Sequence, residues 1–303
     1  MGYSNGLTRV AVAAAGLACA MGMSVGLRAA SPTAPLALPM DGTESANLKL
    51  VKDWWRIVIE SGHLEYVPRY QAEGYVQHNP NISTGRAAFL KAFSEGNVPT
   101  NPIPDKLEAN IPLAGARGDF VWIMREYKRD DPKDPSKSGY GDGFDLLRVE
   151  NGQIQEHWDV ATRDKDAEDG IVYGRTPRRL SEYSQGSLSP AELRTRAVAV
   201  EAAETVYVKR DPTAMSRLFA PDYVEHYRKL QNRATFAADL RSYGDLEHLV
   251  DTKPVIALVN GEYVFMMWAA TSPEPKDPAR SYPWFTYQLM RVHDGKVVEH
   301  WSA

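Results

Sequence analysis

The strongest constraint in this sequence is a hairpin signature that occurs twice. Residues 143–160 read GFDLLRVENGQIQEHWDV and residues 286–303 read TYQLMRVHDGKVVEHWSA, so Asn151-Gly152 is answered by Asp294-Gly295 and Glu156-His157-Trp158 by Glu299-His300-Trp301. The agreement extends backwards. Lys133-Asp134-Pro135 matches Lys276-Asp277-Pro278, and Asp134 to Asp145 spans 11 residues, as does Asp277 to Gln288. Tyr75-Val76-Gln77-His78 matches Tyr223-Val224-Glu225-His226, with His78 standing 79 residues before His157 and His226 standing 74 before His300. Ordered motifs at nearly constant spacing imply a tandem duplication. The 303 residues then divide into two similar units, each near the usual domain size of about 150 residues.

Asn-Gly and Asp-Gly supply the two successive positive-φ residues that a two-residue type I′ turn requires. With Asn151-Gly152 as the loop, Glu150 faces Gln153, Val149 faces Ile154, Leu147 faces Glu156 and Asp145 faces Trp158. Side chains alternate across a strand. This register therefore predicts one face with Asp145, Leu147, Val149, Ile154, Glu156 and Trp158, and another with Phe144, Leu146, Arg148, Gln155, His157 and Asp159. A carboxylate on a largely apolar face is the first candidate for chemistry, because burial raises a carboxyl pKa and brings a general base toward the working pH.

Composition serves mainly to exclude. A net charge of −4 leaves no basic footprint for nucleic acid. Arg9 precedes an apolar run, Val10 to Leu27, that ends among small residues, the pattern of a secretory signal peptide. The run approaches the roughly 18 residues of a membrane span, but its Ala and Gly make it weakly hydrophobic. The single cysteine, Cys19, lies inside it, so a chain cleaved beyond that point forms no disulfide. The expected organisation is a signal peptide at 1–30, a Pro- and Ala-rich tether at 31–44, a first unit at 45–160, a linker at 161–190 and a second unit at 191–303. Such a protein is secreted or periplasmic, with no stable membrane span after cleavage.

Each unit reads as helices followed by strands, an α+β class. In the first, helices are expected at 44–61, 63–71 and 85–94, an extended Tyr75–Pro80 turn between the last two, and strands at 107–113, 119–128, 141–149 and 153–160. The second repeats the order, from a helix at 191–209 to a final strand at 296–301.

The segments YVQHNP, GRAAFLKAF and FDLLRVENGQIQEHWDV resemble the SnoaL-like polyketide-cyclase group of the nuclear transport factor 2-like superfamily. The resemblance covers residues 46–160, and 192–303 with more departures. It implies two cone-shaped units, each with helices packed on a strongly curved antiparallel sheet around one apolar pocket, and no cofactor. It also implies that Asp145 is the general base of an aldol-type ring closure and that His78 stands near the pocket mouth. Met124 occupies a position where members of the group often have a further histidine, and in the second unit Gln288 replaces the Asp.

The candidate catalytic residues are thus Asp145 and His78, the latter weighed against a turn-tying role. Trp54 and Trp158 are candidates to stack on a flat substrate, and Tyr75 and Tyr140 to donate to a developing oxyanion. Glu156 is expected to share the Asp145 face as a substrate-binding candidate, where a second buried carboxyl would raise the pKa of one of the pair, or else to form a plain ion pair with Arg125 or Arg148. His157 and His300 are expected on the opposite face, and no metal-ligand spacing is present. The expected partner is a small apolar or aromatic molecule. The expected assembly is an intramolecular pseudo-dimer through the apolar hairpin faces, with further homo-oligomerisation open. The functional expectation is an exported acid–base enzyme acting on a small, fairly apolar carbonyl compound by aldol-type cyclisation, isomerisation, a lyase step or hydrolysis. The rival expectation is a non-catalytic binding protein of the same fold.

Overall fold

The computed structural model describes residues 38–96, 98–129, 139–167, 170–174, 180–226, 231–242 and 248–303. The expected signal peptide and most of the tether lie outside the described residues. No helix among the described residues is long and apolar enough to cross a membrane.

The chain begins each unit in the same way. Helix α1 (Gly42–Trp54) starts at a capping box, in which Asp41 accepts from the Glu44 N–H and Glu44 accepts from the Asp41 N–H, and it widens into a π turn at Trp55–Glu60. Short helix α2 (Val67–Tyr70), strand β1 (Gln71–Gln77) and helix α3 (Arg86–Glu95) follow. Strands β2 (Leu113–Arg117), β3 (Phe120–Arg129), β4 (Gly139–Glu150) and β5 (Gln153–Asp159) complete the first unit. The second unit opens on α4 (Pro190–Ala202), capped by Ser189 and Glu192, with its own π turn at Ala203–Val208. It continues through α5 (Met215–Leu218), β6 (Phe219–Glu225), β7 (Gln231–Asn232), α6 (Arg233–Asp239), β8 (Ile256–Asn260), β9 (Tyr263–Pro273), β10 (Ser281–His293) and β11 (Lys296–Ser302).

The strands form two sheets, ordered β1-β5-β4-β3-β2 and β7-β6-β11-β10-β9-β8. Pairing is antiparallel except that β1 runs parallel to β5 and β6 parallel to β11. The Tyr75–His78 segment, expected as a turn, is therefore largely strand. The strand expected at 107–113 begins only at Leu113, since Pro112 withholds the N–H a ladder needs. The bland Ala114-Gly115-Ala116 run pairs with β3 instead.

The hairpin register departs from the simple one in one respect that moves the site. Asn151 and Gly152 have φ of 53° and 70°, as a type I′ turn demands. Glu150 pairs with Gln153 and Val149 with Ile154, but Arg148 then pairs with Glu156, leaving Gln155 as a β-bulge. Beyond the bulge each β5 side chain changes face. Asp145 is opposite Asp159, and Leu147 is opposite His157. Glu156 and Trp158 therefore leave the Asp145 face and His157 joins it. The second hairpin carries the same bulge at Val298, between the pairs Val292–Val297 and Arg291–Glu299.

Among the described residues three buried clusters result. One lies between the helices and the first sheet, and includes Trp54, Tyr75, Phe89, Val121, Ile123, Leu147 and Ile154. Another lies between the helices and the second sheet, and includes Tyr207, Tyr223, Phe236, Met266, Trp268 and Met290. The third joins the outer faces of the two sheets: Trp122, Phe144, Leu146 and Trp158 meet Phe265, Tyr287, Leu289 and Trp301. Trp122 stacks on Phe265 at 5.8 Å and Phe144 on Tyr287 at 6.1 Å. A buried amide fastens this seam. Asn260 accepts from the Trp122 indole at 2.8 Å and donates to the Ala116 and Pro39 carbonyls at 2.7 and 3.1 Å. Gly115 makes room for it, because a Cβ there would lie 2.6 Å from the Asn260 carbonyl oxygen.

Candidate active site

The interior of the first unit holds a polar group on the helix-covered face of its sheet. Asp145 is 1% exposed. Its Oδ2 accepts from Arg125 Nε at 2.7 Å and its Oδ1 lies 2.9 Å from His157 Nε2. Arg125 comes from β3, one pleat beyond Ile123, the residue paired with Asp145. Its side chain is 29% exposed, and its guanidinium lies 5.0 Å from the centre of the Trp55 ring, so it forms the solvent-facing rim of the site. Gly143 leaves space for it, since a Cβ there would lie 3.2 Å from Arg125 Nη2.

Behind His157 the chain supplies an ordered relay. The Gln77 Oε1 accepts from the Asn79 N–H at 3.0 Å, which turns its amide nitrogen toward the Tyr75 hydroxyl at 3.0 Å and toward His157 Nδ1 at 3.3 Å. Nδ1 is thus the acceptor and Nε2–H the donor to Asp145. Asp159 closes the group, accepting from Asn79 Nδ2 at 2.9 Å. Trp54 packs edge-on against His157 at 6.1 Å, and its buried indole N–H has no hydrogen-bond partner among the described residues.

The electrostatics follow from this packing. Burial pushes the Asp145 carboxyl up, but the Arg125 charge together with the hydrogen bond and charge of His157 outweighs it, holding Asp145 below the usual carboxylate range. The expectation of a raised pKa is corrected: the apolar face is real, but it also delivers a guanidinium and an imidazole. Burial opposes a charged His157, while the hydrogen bond to Asp145 and the charges of Asp159 and Asp145 lift its pKa above the ordinary value. Gln77 works against that lift by offering an N–H to Nδ1. The Tyr75 hydroxyl is pushed well up by burial and by Asp159 and Asp145, and stays protonated.

Asp145, His157 and Asp159 each offer one ligand atom, all within 4.8 Å of one another. Those donors are already engaged: Arg125 supplies the local cation, and His157 Nε2 is turned to Asp145. A metal ion would have to displace both contacts.

Of the candidates read from sequence, Asp145, Trp54 and Tyr75 share this interior. Three others do not. Trp158 and Glu156 lie in the seam between the sheets, moved there by the Gln155 bulge, and Glu156 pairs with Arg148 at 3.1 Å. His78 alternates out of the interior after Gln77 and stacks on Trp158 at 4.4 Å, with its Nε2 3.3 Å from Glu156 Oε2 and its Nδ1 2.7 Å from the Gly174 carbonyl. The side chain of Tyr140 lies outside the described residues. Sequence reasoning missed His157, Arg125, Gln77 and Trp55 as site residues. The bulge hid the first. Arg125 was legible only as an alternative to Arg148 for the ion pair with Glu156, which the structure gives to Arg148 while Arg125 pairs with Asp145.

The second interior has different chemistry at matched positions. Gln288 stands where Asp145 does, paired with Ser302 and Met266, and Trp268 stands where Arg125 does. Its carboxylate is on β6. Glu225, fully buried, accepts from the Tyr223 hydroxyl at 2.7 Å, from the Tyr207 hydroxyl at 3.1 Å and from His300 Nδ1 at 2.9 Å.

The family-model match falls on this second unit. Residues 200–300 match the family model described as a SnoaL-like domain, the region where the motifs read from sequence departed more. No curated protein matches the chain. Among solved structures, a protein of Jannaschia sp. CCS1 assigned as a SnoaL-like polyketide cyclase is similar at 14% identity, over 39% of this chain and 89% of its own, with a TM-score of 0.30. A protein of Acidithiobacillus ferrooxidans assigned as a polyketide cyclase is 20% identical over 40% of this chain and 90% of its own, with a TM-score of 0.29. A nuclear transport factor 2-like protein of unknown function from Mesorhizobium loti is 18% identical over 42% of this chain and all of its own, with a TM-score of 0.31.

Proposed function

We propose that this chain, which carries a SnoaL-like domain at residues 200–300, is an exported acid–base enzyme whose first unit acts on a small, fairly apolar carbonyl compound. The observation that carries the reading is the Arg125–Asp145–His157 group: a buried carboxylate between an imidazole and a guanidinium that reaches the rim. The carbonyl oxygen of a substrate enters beside Arg125. The α C–H bond breaks, its proton passes to an Asp145 oxygen, and its electron pair moves into the carbonyl to give an enolate held by Arg125. Withdrawal of Arg125 toward the developing oxyanion removes the charge that most lowers the Asp145 pKa and raises its basicity. Trp54, Trp55 and Tyr75 pack around this group. Enolate formation is the first step of aldol-type cyclisation, of isomerisation and of a β-elimination.

A binding protein without catalysis is the second reading. It is favoured by the depressed Asp145 pKa, which suits a permanent ion pair. The test is deuterium incorporation α to the carbonyl in a panel of small ketones and β-keto esters incubated with the full chain in deuterium oxide and followed by NMR. Incorporation above the buffer rate supports the enzyme. Saturable binding without incorporation supports the alternative.

A further inference from the structure

The two units present the same buried histidine to reversed partners. His157 pairs across the parallel ladder with Gln77 and His300 with Glu225, so Gln77 and Glu225 occupy one position. Asp145 and Gln288 occupy another, paired with Ile123 and Met266 respectively. Around His157 the carboxylate is on β4 and the carboxamide on β1. Around His300 the carboxamide is on β10 and the carboxylate on β6.

We propose that this β1/β6 position sets the proton polarity of the histidine, so that the chain contains two acid–base couples of opposite orientation, Asp145–His157 in the first unit and Glu225–His300 in the second. In the first, Gln77 is a positioning residue. Its oxygen is taken by the Asn79 N–H, so its amide nitrogen faces Nδ1 and favours the neutral Nε2–H ring. A neutral donor leaves Asp145 more basic than an imidazolium would. In the second, both Glu225 oxygens lie 2.9 Å from His300 Nδ1, so Nδ1–H is the donor to the carboxylate, the reverse of His157. The second unit then holds a second acid–base group, buried on β6 and β11, where two tyrosine hydroxyls also bond the carboxylate. Trp268 in place of Arg125 deprives it of the rim cation, so it suits a neutral ligand rather than a developing oxyanion.

The charged and titratable groups around His157 are Asp145 and Asp159 on its own hairpin, Arg125 on β3 and Tyr75 on β1, while the helical side offers Trp54. Around His300 they are Glu225 and Tyr223 on β6 and Tyr207 on the π turn, with Asp142 of the first unit within electrostatic reach of Glu225.

The test is long-range 1H–15N correlation of the seven histidine rings in the full chain, labelled in histidine and followed over pH. The expected wild-type result is the ring that Q77E shifts as the Nε2–H tautomer and the ring that E225Q shifts as Nδ1–H, both set apart from His78, the third buried ring among the described residues. Q77E places a carboxylate beside His157 Nδ1, so that ring should gain a second proton and its titration midpoint should rise by about 1–3 pH units. E225Q should change the His300 ring, which also assigns the two; if it does not fold, Q77E alone decides. Both rings as Nε2–H, or a Q77E titration identical to wild type, would overturn the proposal. The role of Gln77 in rate rests on the enzyme reading above, and Q77E should then lower the exchange rate. A moved His157 midpoint with an unchanged exchange rate would sustain the polarity and sink the enzyme reading.

Discussion

Replacing Arg125 with Met tests whether the Asp145 carboxylate is held charged by its neighbours. The substitution keeps most of the apolar stem but removes the Nε contact at 2.7 Å and the charge. Breaking one side of a buried ion pair costs about 3–5 kcal/mol. Two features reduce that here. Arg125 is itself 29% exposed, and His157 remains to donate to the orphaned carboxylate. We therefore expect a loss of about 2–3 kcal/mol at pH 7. The pH dependence fixes the cause. In the wild type the folded Asp145 pKa lies below its unfolded value, so its contribution is complete above the unfolded pKa and is lost as pH falls through the folded one. In R125M the burial contribution is left with less opposition, the folded pKa rises, and the penalty at pH 7 shrinks as the solution is acidified and the carboxyl takes a proton. Urea unfolding at pH 7 and pH 5 measures this, with R125M/D145N as the neutral pair expected to recover at least half the loss at pH 7. An equal loss at both pH values, or no recovery in the double variant, would refute the reasoning.

Other outcomes follow from the same structure. A fragment of residues 40–165 exposes Trp122, Phe144, Leu146 and Trp158, which the second sheet otherwise covers, and should self-associate in light scattering, whereas a stable monomer would mean the face is covered some other way. Asp142, whose carboxyl is pushed to about 7 by burial against the opposing charge of His226 and with Glu126 and Glu225 adding to the rise, should make the folded chain lose stability as pH rises from about 4 to 7. D142N should flatten that slope in urea titrations. The export reading predicts a mature N-terminus between Leu27 and Pro35 by N-terminal sequencing of the secreted or periplasmic fraction; Met1 on a soluble cytoplasmic product would end it.

The α+β class, the two-sheet layout and the Asn-Gly and Asp-Gly turns were legible because turn chemistry and hydrophobic patterning are local. The site was only half legible, for an identifiable reason. A side-chain period of two carries any register error to every residue beyond it, and the bulges at Gln155 and Val298 have no strong signature in QIQEHW or KVVEHW. His157 was consequently assigned to the wrong face, and Trp158 and Glu156 to the site. The parallel pairing of β1 with β5 joins residues 80 positions apart, Gln77 and His157, and nothing local announces it. The exchange of Gln77 for Glu225 was visible in the YVQH and YVEH motifs. Its meaning required knowing that this residue touches the histidine and that Gln288 stands where the first unit has Asp145, so the acid of the second unit lies on β6 instead.

The most direct measurement is the rate of α-deuterium incorporation into the best substrate of the panel, compared among wild type, D145N and Q288A, with urea unfolding as the control for folding. D145N preserves shape and removes the base, so the account predicts a fall of about 10²–10⁴-fold, while Q288A stays near wild type because no proton is taken by an amide on β10. Equal rates for D145N and wild type would contradict the central claim, and a loss confined to Q288A would place the chemistry in the second unit instead.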